Sequence, residues 1–174
     1  MNQELINQLQ SDNTKEVLQA IELLAIEGKS TYLPLLINLL HSSIDADVVS
    51  AITSMLGQLK QQDAVPYLVE AIADENYHDI REELLTVCWE NGLSYAVHID
   101  VFIDIMITAD FMSAFEAHTL ITNMWGKITA EQRAEEEQKI ADALLDMNTE
   151  KAVLLEEVKD FLYALEEGVQ PAEY

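Results

Sequence analysis

The sequence predicts an all-α fold, an α-solenoid, from two periodic patterns. Apolar side chains recur every three or four residues along most of the chain, which is the spacing of an amphipathic helix. Similar helical patterns then return at intervals of about 32 residues. Because stacked helix pairs of this length bury a continuous core, we expect a right-handed superhelix of about five antiparallel helix pairs.

A proline opens two of the predicted helices. Pro34 stands in STYLPLLINLL and Pro66 in QQDAVPYLVEAIAD, 32 residues apart. Proline is tolerated in the first turn of a helix because no intrahelical N–H bond is needed there. Thr31 and Asp63 each precede a proline by three residues, so we expect them at N-cap positions. A third copy 32 residues later puts His98 in the position of the proline.

A second amphipathic helix alternates with these proline-opened helices. In DADVVSAITSMLGQL the apolar positions return at helical spacing, and related patterns lie about one repeat earlier and one repeat later. We expect these positions, including the single cysteine, to form the core. They are Val17, Ile21, Leu24 and Ala25; Val48, Ile52, Met55, Leu56 and Leu59; and Ile80, Leu84, Val87 and Cys88.

The later part of the chain also predicts helices. Thr129 followed by Gln132 predicts a capping box. Asn148 or Thr149 is expected to start a last helix that stops near Gly168. The expected apolar faces comprise Phe111, Phe115, Ile121 and Met124, and then Leu154, Leu155, Val158, Phe161, Leu162 and Leu165.

The segment DADVVSAITSMLGQLKQQDAVPYLVEAIAD resembles a short HEAT repeat of the phycobilisome-lyase type. Position 49 is Val where that family has arginine, and the next copy restores the arginine as Arg81. The resemblance implies one HEAT-like solenoid domain over residues 1–168, best matched at residues 14–105 and divergent at 106–168, with 169–174 a short polar tail. The matching residues are Val48, Leu56, Gly57, Ala64, Val65, Pro66 and Leu68.

The charge of the chain excludes several classes of partner. Nine Lys and Arg against 32 Asp and Glu give a formal net charge of −23, which repels phosphate groups. We therefore expect no nucleic acid and no membrane as partners. No apolar run reaches the roughly 18 to 20 residues of a membrane span, and the first residues do not resemble a secretory signal. A cytoplasmic protein with a protein partner is the expectation, with the oligomeric state open.

No local motif predicts an enzyme. The histidines His41, His78, His98 and His118 include no pair at the spacing that places two ligands on one helix face. The histidine-glutamate dipeptides by which HEAT-type deoxyhypusine hydroxylases hold iron are also absent. We expect no catalytic residues, no metal and no cofactor.

The functional expectation follows from the resemblance. In HEAT-like solenoids the second helix of each pair lines the concave side, so we expect a scaffold or adaptor that binds a basic or mixed-charge protein segment there. The alternatives are a chaperone for a small molecule such as a tetrapyrrole, and a purely structural module. The candidate binding residues are Gln19, Glu22, Val49, Ser50, Thr53, Arg81, Glu82, Thr86, Glu90, Glu116 and Thr119.

Two further features each allow two interpretations. Trp89 and Trp125 follow predicted core positions, so they either line one edge of the groove as interface anchors or pack between helices. The run Glu135, Glu136 and Glu137 either binds calcium or a basic peptide, or forms a solvated helix face. It lacks the glycine-centred loop of an EF-hand, which favours the solvated face.

Overall fold

The computed structural model describes residues 3–147 and 150–170. These residues form ten α-helices, several preceded by a short 3₁₀ turn, and no strand beyond one isolated bridge, which confirms the all-α solenoid prediction. The helices are α1 (Gln3–Leu9), α2 (Thr14–Glu27), α3 (Leu33–Ser42), α4 (Ala46–Gly57), α5 (Val65–Ala73), α6 (Arg81–Asn91), α7 (Ile99–Thr108), α8 (Phe111–Asn123), α9 (Ala130–Asp146) and α10 (Glu150–Glu167).

The chain divides into two compact units, Met1–Asn91 and Gly92–Tyr174. In the first unit the second helices pack side by side, α2 against α4 and α4 against α6. The first helices form the other layer, in which α3 packs against α5. Each helix pair therefore covers the apolar face of the next one, as a solenoid requires. The expectation of a single domain over residues 1–168 stays a prediction.

The apolar positions predicted for the second helices of the first unit form most of its core. All are buried except Ala25, which is exposed, and Met55, which is half-buried. Cys88 is fully buried, as expected for a core residue. The buried positions are Val17, Ile21, Leu24, Val48, Ile52, Leu56, Leu59, Ile80, Leu84, Val87 and Cys88.

The second unit has its own core, and there the predicted face of α8 is partly wrong. α8 packs against both α7 and α10, and α9 packs against α7 and α10. Phe111 and Phe115 are 40% and 43% exposed, whereas Ala114 and Ala117 are fully buried. Small side chains face the two neighbours because helices that approach closely leave little room between them. Of the other predicted positions, Leu154 and Phe161 are half-buried. Those that are buried as predicted are Ile121 of α8, Met124 directly after it, and Leu155, Val158, Leu162 and Leu165 of α10.

The two prolines open their helices, but the predicted caps are wrong. Pro34 and Pro66 are the second residues of α3 and α5, each of which follows a 3₁₀ turn. Thr31 lies inside the first of these turns and Asp63 inside the second. Neither side chain caps a helix. Instead, the backbone N–H of the first residue of α3, and likewise of α5, donates to the carbonyl oxygen of the first residue of the preceding 3₁₀ turn.

The third helix opening lies two residues later than predicted. The corresponding 3₁₀ turn, Ala96–His98, begins 34 residues after the turn Gln62–Ala64. His98 therefore ends the turn, and Asp100 is the second residue of α7 in the position of the prolines. The two extra residues lie at the end of α6, which ends at Asn91, 34 residues after α4 ends at Gly57. The buried Leu84 and Cys88 of α6 still stand 32 residues after Ile52 and Leu56 of α4.

Polar contacts link successive repeats in the first unit. The Thr14 hydroxyl donates to Asp45 Oδ2 at 2.7 Å, from a position 31 residues earlier. The Ser30 hydroxyl donates to Asp63 Oδ1 at 2.6 Å across 33 residues. Both contacts join the starts of corresponding helices or the turns before them, so they fix how one helix pair is aligned on the next.

The later predicted helix ends are partly confirmed. Thr129 and Gln132 form the capping box at the start of α9. The predicted start at Asn148 or Thr149 lies outside the described residues. Val169, which was expected in a polar tail, instead forms an antiparallel bridge with Gly126, with N–H to O distances of 2.9 Å in both directions.

We expect Ser30→Ala to lower the free energy of unfolding by about 1 kcal/mol, because the buried hydroxyl and its hydrogen bond to Asp63 are lost. Urea unfolding followed by circular dichroism measures this change. Thr31→Ala, at the exposed neighbouring position, is the matched control and should change stability much less. Equal effects of the two substitutions would contradict the role of the contact between repeats.

Two aspartates cap second helices, and the folded structure lowers the pKa of both. The hydroxyl of Thr14, followed by the amide of Val48, lowers the pKa of Asp45. The pKa of Asp110 is also lowered, chiefly by the backbone N–H of Ser113, with burial acting in the opposite direction. Asp110 Oδ1 accepts from the amides of Met112 and Ser113 at 2.9 and 3.0 Å. Both carboxylates therefore stabilise the folded state in their ionised form.

We expect the stabilisation by Asp110 to be present above its unfolded pKa of about 3.9, and to decline as the pH falls through its lower pKa in the folded protein. The test compares unfolding free energies of the wild type and Asp110→Asn at neutral pH and near pH 2.5. The difference between the two proteins should shrink in acid. A difference that stays constant with pH would show that the charge of Asp110 contributes nothing.

Candidate functional site

The candidate residues of the first unit lie on three adjacent helices of one layer. Gln19 and Glu22 are exposed on α2. On α4, Ser50 is exposed, while Val49 and Thr53 are half-buried. Since α4 packs between α2 and α6, the structure places these candidates on neighbouring helices. On α6, the exposed candidates are Glu82 and Glu90, and Thr86 is half-buried.

The structure corrects the prediction that Arg81 belongs to the candidate binding surface. Its side chain is buried, with 5% of the residue exposed. Its Nε donates to the carbonyl oxygen of Ile72 at 3.0 Å, and its Nη2 donates to Glu75 Oε1 at 2.8 Å. The guanidinium therefore satisfies a backbone carbonyl at the end of α5, which has no partner within that helix. Arg81 holds α5 to α6 and offers no open surface to a partner.

Glycine at position 57 gives Glu90 room to lie across α4. A Cβ added to Gly57 would come within 2.6 Å of Glu90 Oε2. The leucine-glycine pair at the end of α4 therefore allows close approach between neighbouring second helices. Thr53 uses its hydroxyl within α4, donating to the carbonyl oxygens of Val49 and Ser50 at 3.1 Å each. The candidate side chains of α4 itself, Val49, Ser50 and Thr53, carry no charge.

In the second unit the candidate residues lie on α8. Glu116 and Thr119 are both half-buried, and the Thr119 hydroxyl donates to the carbonyl oxygen of Phe115 at 3.0 Å. Beside them the rings of Phe111 and Phe115 are stacked with centroids 6.4 Å apart. Sequence reasoning placed these aromatic rings in the core and therefore missed an exposed aromatic surface.

The two tryptophans have different environments. Trp89 is 39% exposed on α6 of the first unit. Trp125, in the second unit, donates from Nε1 to the carbonyl oxygen of Gly92 at 2.8 Å. Its own carbonyl oxygen accepts from the Ser94 hydroxyl at 2.9 Å. Trp125 therefore joins two connecting segments one repeat apart, which favours the packing interpretation for this residue.

The glutamate run on α9 is only partly solvated, which corrects the sequence interpretation. Glu136 is 4% exposed, and Lys139 Nζ lies 2.9 Å from Glu136 Oε2 and 2.9 Å from Asp104 Oδ1 of α7. Burial raises the pKa of Glu136, opposed by Lys139. Glu137 pairs with Arg133, so Glu135 is the one exposed member of the run. Packing of α9 on α7 explains this arrangement.

Two of the histidines lie beside carboxylates. His41 Nδ1 lies 2.9 Å from Asp79 Oδ1, and His118 Nε2 lies 3.0 Å from Glu157 Oε2. Within residues 3–147 and 150–170, no three His, Cys, Asp or Glu side chains are grouped to hold a metal ion. No helix in the same described ranges combines the length and apolar character needed to cross a membrane.

We expect Arg81→Ala to lower the free energy of unfolding by about 1–3 kcal/mol, because a buried carbonyl of α5 loses its donor and the buried side chain leaves a gap. Chemical denaturation measures the change. Glu83→Ala, an exposed substitution in the same turn of α6, should change stability by less than about 0.5 kcal/mol. A small effect of Arg81→Ala would argue that its side chain is available for a partner.

Comparison with known proteins identifies the repeats. A family model described as HEAT repeats matches residues 2–87, the region that contains α1 to α5 and most of α6. A search of curated proteins found no match. The family match does not extend to the phycobilisome-lyase type, which stays a resemblance. HEAT repeats are commonly protein-interaction scaffolds and are typically non-catalytic. Residues 2–87 of the chain therefore belong to the HEAT-repeat family.

Proposed function

We propose that this protein is a non-enzymatic HEAT-repeat scaffold that binds a basic or mixed-charge protein segment on the exposed faces of its second helices. The observation that carries the proposal is the charge distribution on α2 and α6. Glu22, Glu82 and Glu90 are exposed there, whereas the single cationic candidate, Arg81, is buried against α5. The candidate surface is therefore acidic, with its one positive group withdrawn.

The cations of the first unit do not reverse this charge. Lys29 pairs with Glu27 at 3.0 Å, and Lys60 donates to the carbonyl oxygen of Asn91 at 3.1 Å. Lys15 is exposed in the first turn of α2, a single positive charge against the three exposed glutamates. The formal net charge of the whole chain is −23, so its long-range field attracts a basic segment. Such attraction arises from many exposed charges, and salt screens it over about 8–10 Å at physiological ionic strength.

The chemistry of α4 suggests how a segment lies on the surface. Val49, Ser50 and Thr53 are uncharged, and α4 packs between α2 and α6. A bound segment can place its apolar or small side chains over α4. Its basic side chains then reach Glu22 on one side and Glu82 on the other. This arrangement requires a partner of mixed rather than uniformly basic composition.

We expect Glu22→Lys combined with Glu82→Lys to abolish capture of a salt-sensitive partner from native lysate. The physical reason is that two attractive contacts become repulsive. The full chain would be immobilised, and proteins retained at about 50 mM and 200 mM salt compared by mass spectrometry. A genuine partner is retained at low salt by the wild type, weakened by the higher salt and lost from the variant.

The control variant is Glu135→Lys combined with Asp146→Lys, which makes the same charge change on exposed positions of α9. Retention of the partner by this control assigns the loss to the surface of α2 and α6 rather than to net charge. Loss from both variants, or from neither, would contradict the proposed surface. A visible absorbance change on titration with a bilin or porphyrin would instead support the alternative of a small-molecule chaperone.

A further inference from the structure

A groove lies in the other layer of the first unit, between α3 and α5. Its volume is about 250 Å³, and the 3₁₀ segment Glu75–Ile80 contributes one of its walls. Ile37 and Ala71 provide apolar lining, and both are buried. The rings of Tyr67 and Tyr77 also line the groove. It therefore combines an apolar floor with aromatic walls, on the side of the helix layer that the proposed segment-binding surface does not use.

The repeat supplies an internal comparison for this groove. A corresponding groove lies between α1 and α3. Four residues of α3 line it, and each stands 32 positions before a residue that lines the groove between α3 and α5. The earlier groove has no acidic lining residue, whereas the later one has two. The paired positions are Leu35 and Tyr67, Asn38 and Glu70, Leu39 and Ala71, and Ser42 and Asp74.

Packing does not explain this difference. The two sets of residues occupy the same positions of consecutive repeats, and the first groove shows that uncharged side chains satisfy the fold there. Glu70 is exposed and Asp74 is half-buried, so neither carboxylate contributes an apolar contact to the core. Asp74 caps the 3₁₀ segment by accepting from the amide of Asn76, which explains its acidic side chain. The replacement of Asn38 by Glu70 has no such role and therefore favours a cationic ligand.

We propose that the groove between α3 and α5 binds an arginine side chain of a protein ligand. The methylene stem contacts Ile37 and Ala71, while the planar guanidinium stacks on Tyr67 or Tyr77. The carboxylate of Glu70 then accepts charge-assisted hydrogen bonds from it. Arginine fits better than lysine because a guanidinium both stacks on aromatic rings and donates two parallel hydrogen bonds to one carboxylate.

Contacts with neighbouring residues fix the positions of the side chains that line the groove. The ring of Tyr77 packs edge to face on His41, with centroids 5.4 Å apart, and His41 Nδ1 lies 2.9 Å from Asp79. Asp74 Oδ1 accepts from the amide of Asn76 at 2.9 Å, which fixes the start of the 3₁₀ segment. The neighbouring cation, Arg81, donates to Glu75 and to the carbonyl oxygen of Ile72 at the end of α5, so these two donors are already used.

This site is independent of the proposed segment-binding surface, because its residues belong to α3, α5 and the 3₁₀ segment and none belongs to α2, α4 or α6. Either proposal can fail without the other. The Glu22→Lys and Glu82→Lys substitutions do not alter the groove. Conversely, substitutions in the groove leave the second helices unchanged.

The test is an NMR titration of the ¹⁵N-labelled full chain with three capped tripeptides. They are acetyl-Gly-Arg-Gly-amide, its lysine analogue, and its citrulline analogue, which keeps the shape of arginine without the charge. We expect the arginine peptide to shift the amide signals of Glu70, Ala71 and Tyr77. Binding of the citrulline peptide should be at least about tenfold weaker, because the charge-assisted bonds and the cation–π contact are lost.

The decisive variant is Tyr67→Leu combined with Glu70→Asn, which gives two positions of the groove the residues found in its uncharged counterpart. We expect it to fold as the wild type does and to lose at least about tenfold in affinity for the arginine peptide. Glu22→Asn on α2 is the control and should bind unchanged. Equal binding by arginine and citrulline, equal binding by arginine and lysine, or unchanged binding by the variant would overturn the proposal.

Discussion

The structure depends on one constraint, that no helix pair can cover its own apolar stripe. In the first unit, α4 lies between α2 and α6, and this position leaves Ile52 and Leu56 fully buried. The same requirement fixes the alignment of neighbouring pairs, to which the contact of Ser30 with Asp63 contributes. Side chains that face a neighbouring repeat are therefore needed for packing, and only outward-facing side chains are available to bind a partner.

Periodicity predicts the elements well because burial of each pair follows a regular spacing. Core positions such as Ile52 were predicted for that reason, but three features depend on information outside the local pattern. The position of His98 changes because α6 continues two residues further than the period of 32 residues predicts. Phe111 is exposed because the neighbours of α8 select its alanine face. Glu136 is buried because α9 packs on α7, where Lys139 of α9 pairs with both Glu136 and Asp104 of α7.

The candidate site was predictable only as a set of helix faces. Sequence spacing assigned Glu22 and Glu82 to second helices, and the structure has both exposed. It could not show that Arg81, at a position beside Glu82, turns back to a carbonyl of α5. The groove at Glu70 was also missed, although comparison of consecutive repeats could have found it, since Asn38 occupies the same position one repeat earlier.

The central claim is that a protein partner covers the second-helix carboxylates of the first unit. Carbodiimide footprinting of the full chain, alone and with its captured partner, measures this directly, because mass spectrometry reports the modification of each carboxylate. We predict that Glu22, Glu82 and Glu90 are modified less in the complex, while the modification of the exposed Glu135 of α9 is unchanged. Protection of Glu135 with no protection of the other three would contradict the account.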